Sequence, residues 1–537
     1  MAYISEAVTS ITKHINFEQF NSNFNFRHIN QQQIPISTAI TATAITILGL
    51  LALKYNDRAV FTKRRDDVPF IKGVPLVGNL FRTIATVDII YDDLTESFEK
   101  LDTLTMSQST IGMPPQLQTI DPLNIEYVLR HNFSNYIKGP QMMDTMGDLF
   151  GHGIFVANGQ EWQYHRKTAS HIFNVITLRD HFTDVFMQEL KNMSEYIFDT
   201  NAKTGEPVDF AHIMSKFTME SFARVAFGKN LNGLLNENNA QFAISFDACQ
   251  KISFNRFIDP FTDLKEALKP IFSPGSTTYK QHIKIINDFA YSIINERRDK
   301  LKQGLVFEDM LSRFMTTETP DGRLLNDVEL RDTLLTFLAA GRDTTADSIN
   351  WTFYCLLTHP DVEAKLRQEI DQYLPNEDID NPQILYEIAR KMTYAHAVFY
   401  ETLRLYPSVP TNIRLSVKED RLPSGVKVHK GDSVMWSLYA AGRSTHLWGP
   451  DARTFDPERW IQENGELKRV SSYQWMAFNA GPRNCIGQNL ATLEAILVIT
   501  HLLKRYKLSL VPDQKVTYAL SLTLQMRYGM KVYISKR

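Results

Sequence analysis

Cysteine is the scarcest informative residue in this 537-residue chain: three occur, Cys249, Cys355 and Cys485. Three scattered thiols cannot build a disulfide framework, and their low number fits a reducing compartment. No Cys or His stands at the short spacings of a zinc site. Charge of one sign is also missing. The formal net charge is −2, so there is no general basic field for nucleic acid. Internal repeats and a second linker are absent. An apolar share of 43% with 22% charged residues excludes a disordered chain and leaves a globular one.

One long uncharged run does occur. Residues 34–53, IPISTAITATAITILGLLAL, would be about 30 Å long as a helix, the thickness of a bilayer core. Ser37, Thr38, Thr41, Thr43 and Thr46 dilute it. The run is expected to be a transmembrane signal-anchor. Lys54, Arg58, Lys63, Arg64 and Arg65 follow it, against Lys13 and Arg27 before it, which places the bulk of the chain in the cytosol. A polar leading segment (1–33) precedes the run. A basic stop with a Pro/Gly hinge (54–80) follows, and residues 81–537 read as one domain.

That domain is expected to be mainly α with small β-sheets. The stretch from Asn326 to Pro360 reads as one central helix about 45 Å long, capped by Asn326 or Asp327. Strands are expected within residues 104–112, 422–436 and 522–535, the last two as hairpins.

The chemistry gathers at FNAGPRNCIG, Phe478 to Gly487. Gly481 and Gly487 permit positive φ or close backbone approach, and Pro482 stiffens the turn. An amphipathic helix follows directly, so Cys485 faces the positive end of a helix dipole, with Arg483 nearby. A thiolate held in this way suits a nucleophile or a metal ligand. The nucleophile needs a paired base that the loop does not contain. A lone thiolate without companion ligands points to haem iron. Cys249 and Cys355, inside helical patterns, read as inert core thiols.

The pattern Phe478-x-x-Gly481-x-Arg483-x-Cys485-x-Gly487 resembles the haem loop of the cytochrome P-450 monooxygenases. AGRDTT (340–345), ETLR (401–404) and PERW (457–460) follow the family's order, and the likeness runs from Val68 to the C-terminus. The resemblance implies the P-450 fold, with haem b between the long central helix and the helix after the cysteine loop. Cys485 would be the axial ligand, in a loop built by Phe478, Gly481 and Gly487. Thr344 and Asp343 would deliver protons, and Arg342 would face away in a salt bridge. Glu401, Arg404 and Arg459 would lock the loop region, although taken alone the pair at i, i+3 reads as a surface ion pair. Trp460 replaces the usual phenylalanine. Trp162, Arg166, Arg414 and Arg483 would meet the haem propionates.

Several stretches are similar to the fungal and plant long-chain fatty-acid ω-hydroxylase clans, with His152 and Ala441 as departures. This implies NADPH-dependent ω-hydroxylation of fatty acids or alkanes at the endoplasmic reticulum membrane. Electrons would come from a separate flavoprotein reductase, with cytochrome b5 as an optional second donor. The reductase is expected near Arg166, Lys167, Arg390 and Lys391, and the substrate against Ala339, Val409 and Leu522. Sterol or secondary-metabolite oxidation is the alternative within the family. A haem-thiolate isomerase or dehydratase, or a haem sensor, would need no O2 turnover.

Overall fold

A computed structural model describes residues 36–113, 116–171, 173–231, 240–259, 261–307, 309–375 and 381–537. The leading segment 1–33 lies outside the described residues. The chain divides into two units, Met1–Asn56 and Asp57–Arg537. In the first, helix α1 (Ile36–Lys54) covers the anticipated span. The expectation of a transmembrane helix is corrected here: no helix among the described residues is long and apolar enough to cross a membrane. Within α1, Thr41 and Thr46 turn their hydroxyls back to the carbonyls of Ser37 and Ala42.

The larger unit is mainly helical. Around its centre stand α2 (Ile90–Lys100), α3 (Gly159–Ser170), α4 (Phe210–Phe227), α5 (Ala240–Asn255), α6 (Asp327–Thr358), α7 (Thr393–Leu405) and α8 (Gln488–Arg505). Residues 57–79 are non-helical and belong to this unit. Their backbone pairs with it, Ile71 N–H to Ser107 O at 2.9 Å and Asn79 N–H to Ser109 O at 2.8 Å.

Helix α6 begins as its sequence requires. Asn326 accepts from the N–H groups of Val328 and Glu329, and the Glu329 carboxylate returns a bond to the Asn326 N–H, closing a capping box. Its 32 residues span about 48 Å, and its buried positions occupy all sides, so it is the core's axis. It packs closely on α4: a Cβ on Gly341 would lie 1.9 Å from the Phe222 ring. The glycine in AGRDTT therefore admits the neighbouring helix's phenylalanine. Thr218 of α4 also donates to Arg342 O at 3.0 Å.

The strands are β1 (Thr105–Gln108), β2 (Gln116–Thr119), β3 (Tyr136–Ile137), β4 (Val208–Asp209), β5 (Thr411–Ser416), β6 (Asp420–Arg421), β7 (Lys427–Val428), β8 (Ser433–Ser437), β9 (Tyr506–Leu510) and β10 (Lys531–Lys536). The main sheet runs β1-β2-β8-β5-β3, with β2 and β8 parallel and its other pairs antiparallel. Of the hairpins expected in 422–436 and 522–535, the first forms only as the short β6–β7 pair, turning through 422–426, and the second does not form as a pair of strands within its own stretch. β7 pairs with β6, β8 joins the main sheet, and β10 pairs with β4 and β9. β8 and β10 take partners outside the stretches in which hairpins were expected, which local alternation does not encode.

Gly341→Ala should destabilise the protein by about 1–3 kcal/mol through overpacking. Phe222→Leu in the same chain should restore part of that loss in denaturant unfolding. Full additivity of the two changes would contradict the close approach.

Candidate active site

The loop after Phe478 is built around one glycine. Gly481 has φ +64°, and a Cβ there would lie 2.4 Å from the Leu129 carbonyl oxygen, so no other residue fits. Gly487 is different. Its φ of −84° is ordinary, and a Cβ would meet only the Cys485 sulfur, at 3.9 Å. The loop is closed by the Cys485 N–H donating to Phe478 O at 2.8 Å and the Asn479 side chain donating to Arg483 O at 3.2 Å. Asn479 itself takes φ 58°, which asparagine tolerates better than most residues.

Cys485 opens onto a cavity of about 500 Å³. Burial pushes its thiol up, and the Gly487 N–H and the Arg166 charge act against this. The helix-dipole argument thus holds only in part, and the nearby cation is Arg166. Arg483 instead lies over the Trp162 ring, 4.4 Å from its centroid, and donates to Ala157 O at 2.8 Å. Cys249 and Cys355 are buried core thiols; burial pushes Cys249 up to about 12.

The same cavity is lined by Ala339, Gly341, Asp343 and Thr344 of α6, by Val409 and Leu522, and by Phe478 and Gly487 of the loop. Asp343 and Thr344 share the wall but not a hydrogen bond. The Thr344 hydroxyl donates to Ala340 O at 2.6 Å, while Asp343 accepts from Gln250 Nε2 of α5 at 2.7 Å. Burial raises the Asp343 carboxyl, partly offset by Arg342. Arg342, itself buried, pairs with Asp247 at 2.6 Å and also stands 3.5 Å from Asp343.

Opposite charge is missing where it would be expected. Arg166, Arg414, Arg483 and Lys138 all line the cavity, and none of the four makes an ion pair among the described residues. Arg414, 1% exposed, leaves its Nη2 without a partner, as Arg483 leaves its Nε. Burial beside Arg483 pushes Arg414 down to about 9, and burial beside Arg166 pushes Arg483 down to about 10. Burial, with Arg414 and Arg483, likewise lowers the Lys138 ammonium. Arginine stays charged in proteins, so these shifts measure an absent counter-anion. Arg166, meanwhile, donates to the Asn484 carbonyl and side-chain oxygens. It belongs to the cavity wall and not to an outer docking face, whereas Lys167, Arg390 and Lys391 are exposed.

Beneath the loop, Glu401 and Arg404 of α7 form a bidentate pair, both contacts 2.7 Å, with side chains fully buried. The surface reading of this pair is therefore excluded. Arg404 also donates to Thr454 O at 3.0 Å and to the carbonyls of Gly442 and Ala452. Arg459 stands 3.6 Å from Glu401 and pairs with Asp451 at 2.7 Å. Trp460 is more than a filler, because its indole N–H donates to Glu401 Oε2 at 2.9 Å. From Trp460, contacts run to Trp475 (5.2 Å) and on to Phe478 (5.9 Å), tying this buried pair to the cysteine loop.

The cytochrome P450 family model matches residues 68–530. This chain belongs to the cytochrome P450 family. The P450 is 34% identical over 476 residues to cytochrome P450 monooxygenase cyp1 of Mycosarcoma maydis, covering 86% of this chain and 73% of the other. It is 35% identical over 492 residues to cytochrome P450 704C1 of Pinus taeda, covering 87% and 93%. To the alkane hydroxylase MAH1 of Arabidopsis thaliana it is 30% identical over 485 residues, covering 88% and 95%. Membership makes the protein a monooxygenase with a haem-iron cofactor, a redox partner, O2 and a small-molecule substrate. The cavity fits that cofactor: one thiol on a tight loop, and unpaired buried cations suited to two propionates.

Lys138, Gln250 and Glu494 were not legible as site residues. Lys138 sits in YIKGP with no motif to mark it. Glu494 of α8 lines the cavity, accepts from Ser221 at 2.5 Å, and is pushed by burial from 4.5 up to about 8.

Two outcomes follow. Trp460→Phe leaves buried Glu401 short of a donor and should cost about 1–3 kcal/mol in chemical denaturation. Folded Glu494 keeps a proton that the unfolded chain has lost between its ordinary value of 4.5 and about 8. Its contribution to stability therefore falls as pH rises through that window and levels off above it. Glu494→Gln should flatten that slope in denaturation midpoints measured from pH 5 to pH 9; an unchanged slope would contradict the assignment.

Proposed function

We propose that this P450 hydroxylates the terminal carbon of long-chain fatty acids or alkanes. The reaction would be RH + O2 + NADPH + H⁺ → ROH + H2O + NADP⁺, with electrons passed from NADPH by a separate flavoprotein reductase. The observation that carries this reading is the cavity itself. Phe150, Phe155, Phe222, Phe337 and Leu522 line it beside Thr344, giving an apolar enclosure for an unfunctionalised chain next to the cysteine loop. The similarity to an alkane hydroxylase points the same way.

Bound haem supplies the activation of dioxygen, and thiolate ligation favours O–O cleavage. The chain's own residues do the rest. Cys485 Sγ would hold the iron. Arg414, Arg483, Lys138, Arg166 and Trp162, which line the cavity, would hold the propionates. Asp343, its carboxyl raised by burial and held by Gln250, would pass protons toward the Thr344 hydroxyl. The aromatic wall excludes water and aims the substrate's end at the reacting position. Lys167, Arg390 and Lys391 offer exposed positive charge to an acidic reductase, with cytochrome b5 as an optional second donor. The exposed Leu48, Leu50 and Leu53 of α1 would attach the protein at the endoplasmic reticulum membrane.

The haem-loaded full chain, given reductase, NADPH and a panel of fatty acids and alkanes, should yield products hydroxylated at the chain terminus, located by mass spectrometry. A haem-loaded protein that oxidised none of them would overturn the aliphatic reading, and product without NADPH consumption would overturn monooxygenation. Thr344→Val should lower product per NADPH by on the order of tenfold or more while substrate affinity holds. Charge reversal at Lys167, Arg390 and Lys391 should slow reduction and leave substrate affinity unchanged.

A further inference from the structure

A second polar region of the cavity lies apart from the cations, on the β1–β2 edge of the main sheet. The register pairs Gln108 with Gln116, Met106 with Gln118, and Gln118 with Met435. Gln108, Gln116, Gln118 and Met435 therefore share one face, and all four line the cavity. Gln108 and Gln116 satisfy one another, Nε2 donating to Oε1 at 3.0 Å. Gln118 does not share in this. It is 2% exposed, and its Oε1 has no partner. Tyr91 of α2 also lines the cavity, is 4% exposed, and has an unpartnered hydroxyl. Leaving such groups buried and unsatisfied costs about 1–3 kcal/mol each, a cost that a polar ligand group at this edge would remove.

The charge of the region narrows the ligand. Arg82, the lining cation of this region, is held by both oxygens of Asp93, at 3.0 and 2.9 Å, and donates to Ser97 at 2.7 Å. Its charge is answered already. The strand order β2-β8-β5 sets Gln118 two strand spacings, about 10 Å, from the strand that carries Arg414. An anion brought here would be desolvated with no free cation to meet it.

We propose that this edge is the subsite for the far end of the substrate, and that it takes a neutral hydrogen-bond donor such as a hydroxyl or amide N–H in preference to a carboxylate or a bare methyl. The Gln118 carbonyl oxygen accepts from that donor, and the Tyr91 hydroxyl donates to its oxygen. The inference rests on the aliphatic reading above and narrows it to chains with a neutral polar end, such as fatty alcohols and N-acyl amides.

The test titrates the haem-loaded full chain with dodecan-1-ol, dodecane and, at pH 8, dodecanoate, reading binding by calorimetry and by the change in haem absorbance. Dodecan-1-ol should bind about tenfold more tightly than either of the others. In Gln118→Met the alcohol's advantage over dodecane should fall to about twofold. Tyr91→Phe, which removes one oxygen, should also reduce it, and carries the test if Gln118→Met does not load haem. Equal binding of the three ligands, preference for dodecanoate, or equal weakening of all three by both substitutions would overturn the subsite. Failure of every chain to bind would sink the aliphatic reading and this inference together, whereas tight alcohol binding without terminal hydroxylation would sink only the reaction assignment.

Discussion

Four positive side chains, Arg166, Arg414, Arg483 and Lys138, line one cavity with no carboxylate among them to pair with. Burying charge without a partner costs several kcal/mol per group, so the folded chain alone is incomplete at this place. A bound dianion would convert the largest unfavourable electrostatic cost of the fold into its most specific attraction. The same logic applies to Cys485, whose thiol burial raises and which a metal would hold as thiolate. Cofactor binding and stability are therefore coupled at the level of individual side chains.

The rest of the molecule holds that arrangement in place. The Glu401–Arg404 pair has no exposure and draws in three backbone carbonyls, the Asp456 N–H and the Trp460 indole. Nearly every hydrogen-bonding capacity in it is answered, which is what a buried pair needs to fix one geometry. Its aromatic connection through Trp475 to Phe478 passes that rigidity to the cysteine loop. On the other side, α6 runs through the core with Gly341 admitting Phe222, which brings Thr344 and Asp343 to the cavity wall.

Much of this was legible in the sequence, for identifiable reasons. The Asn326 cap, the length of α6 and the glycine–proline turn before Cys485 are local effects, and local residues encode them. Ala339, Val409 and Leu522 do face the cavity, and Arg342 does form a salt bridge, with Asp247. What escaped depends on residues remote in sequence. β8 and β10 each take one partner hundreds of residues away, β2 and β4, which the local hairpin pattern does not encode. Arg166 and Arg483 exchange their expected relation to Cys485 because Trp162 draws Arg483 over its ring. Lys138 and Gln250 carry no motif, and only the packed structure sets them beside the cavity and Asp343. The expected membrane crossing of residues 34–53 is met by no helix among the described residues.

The most direct measurement compares wild type with Arg414→Met for two quantities, the stability of the haem-free protein and its affinity for haem. If the cation set exists for the cofactor, removing a buried unpaired charge should leave the haem-free protein at least as stable while weakening haem binding by about tenfold or more. A haem-free protein that is clearly destabilised, with haem affinity unchanged, would show that Arg414 serves the fold alone and would contradict the account.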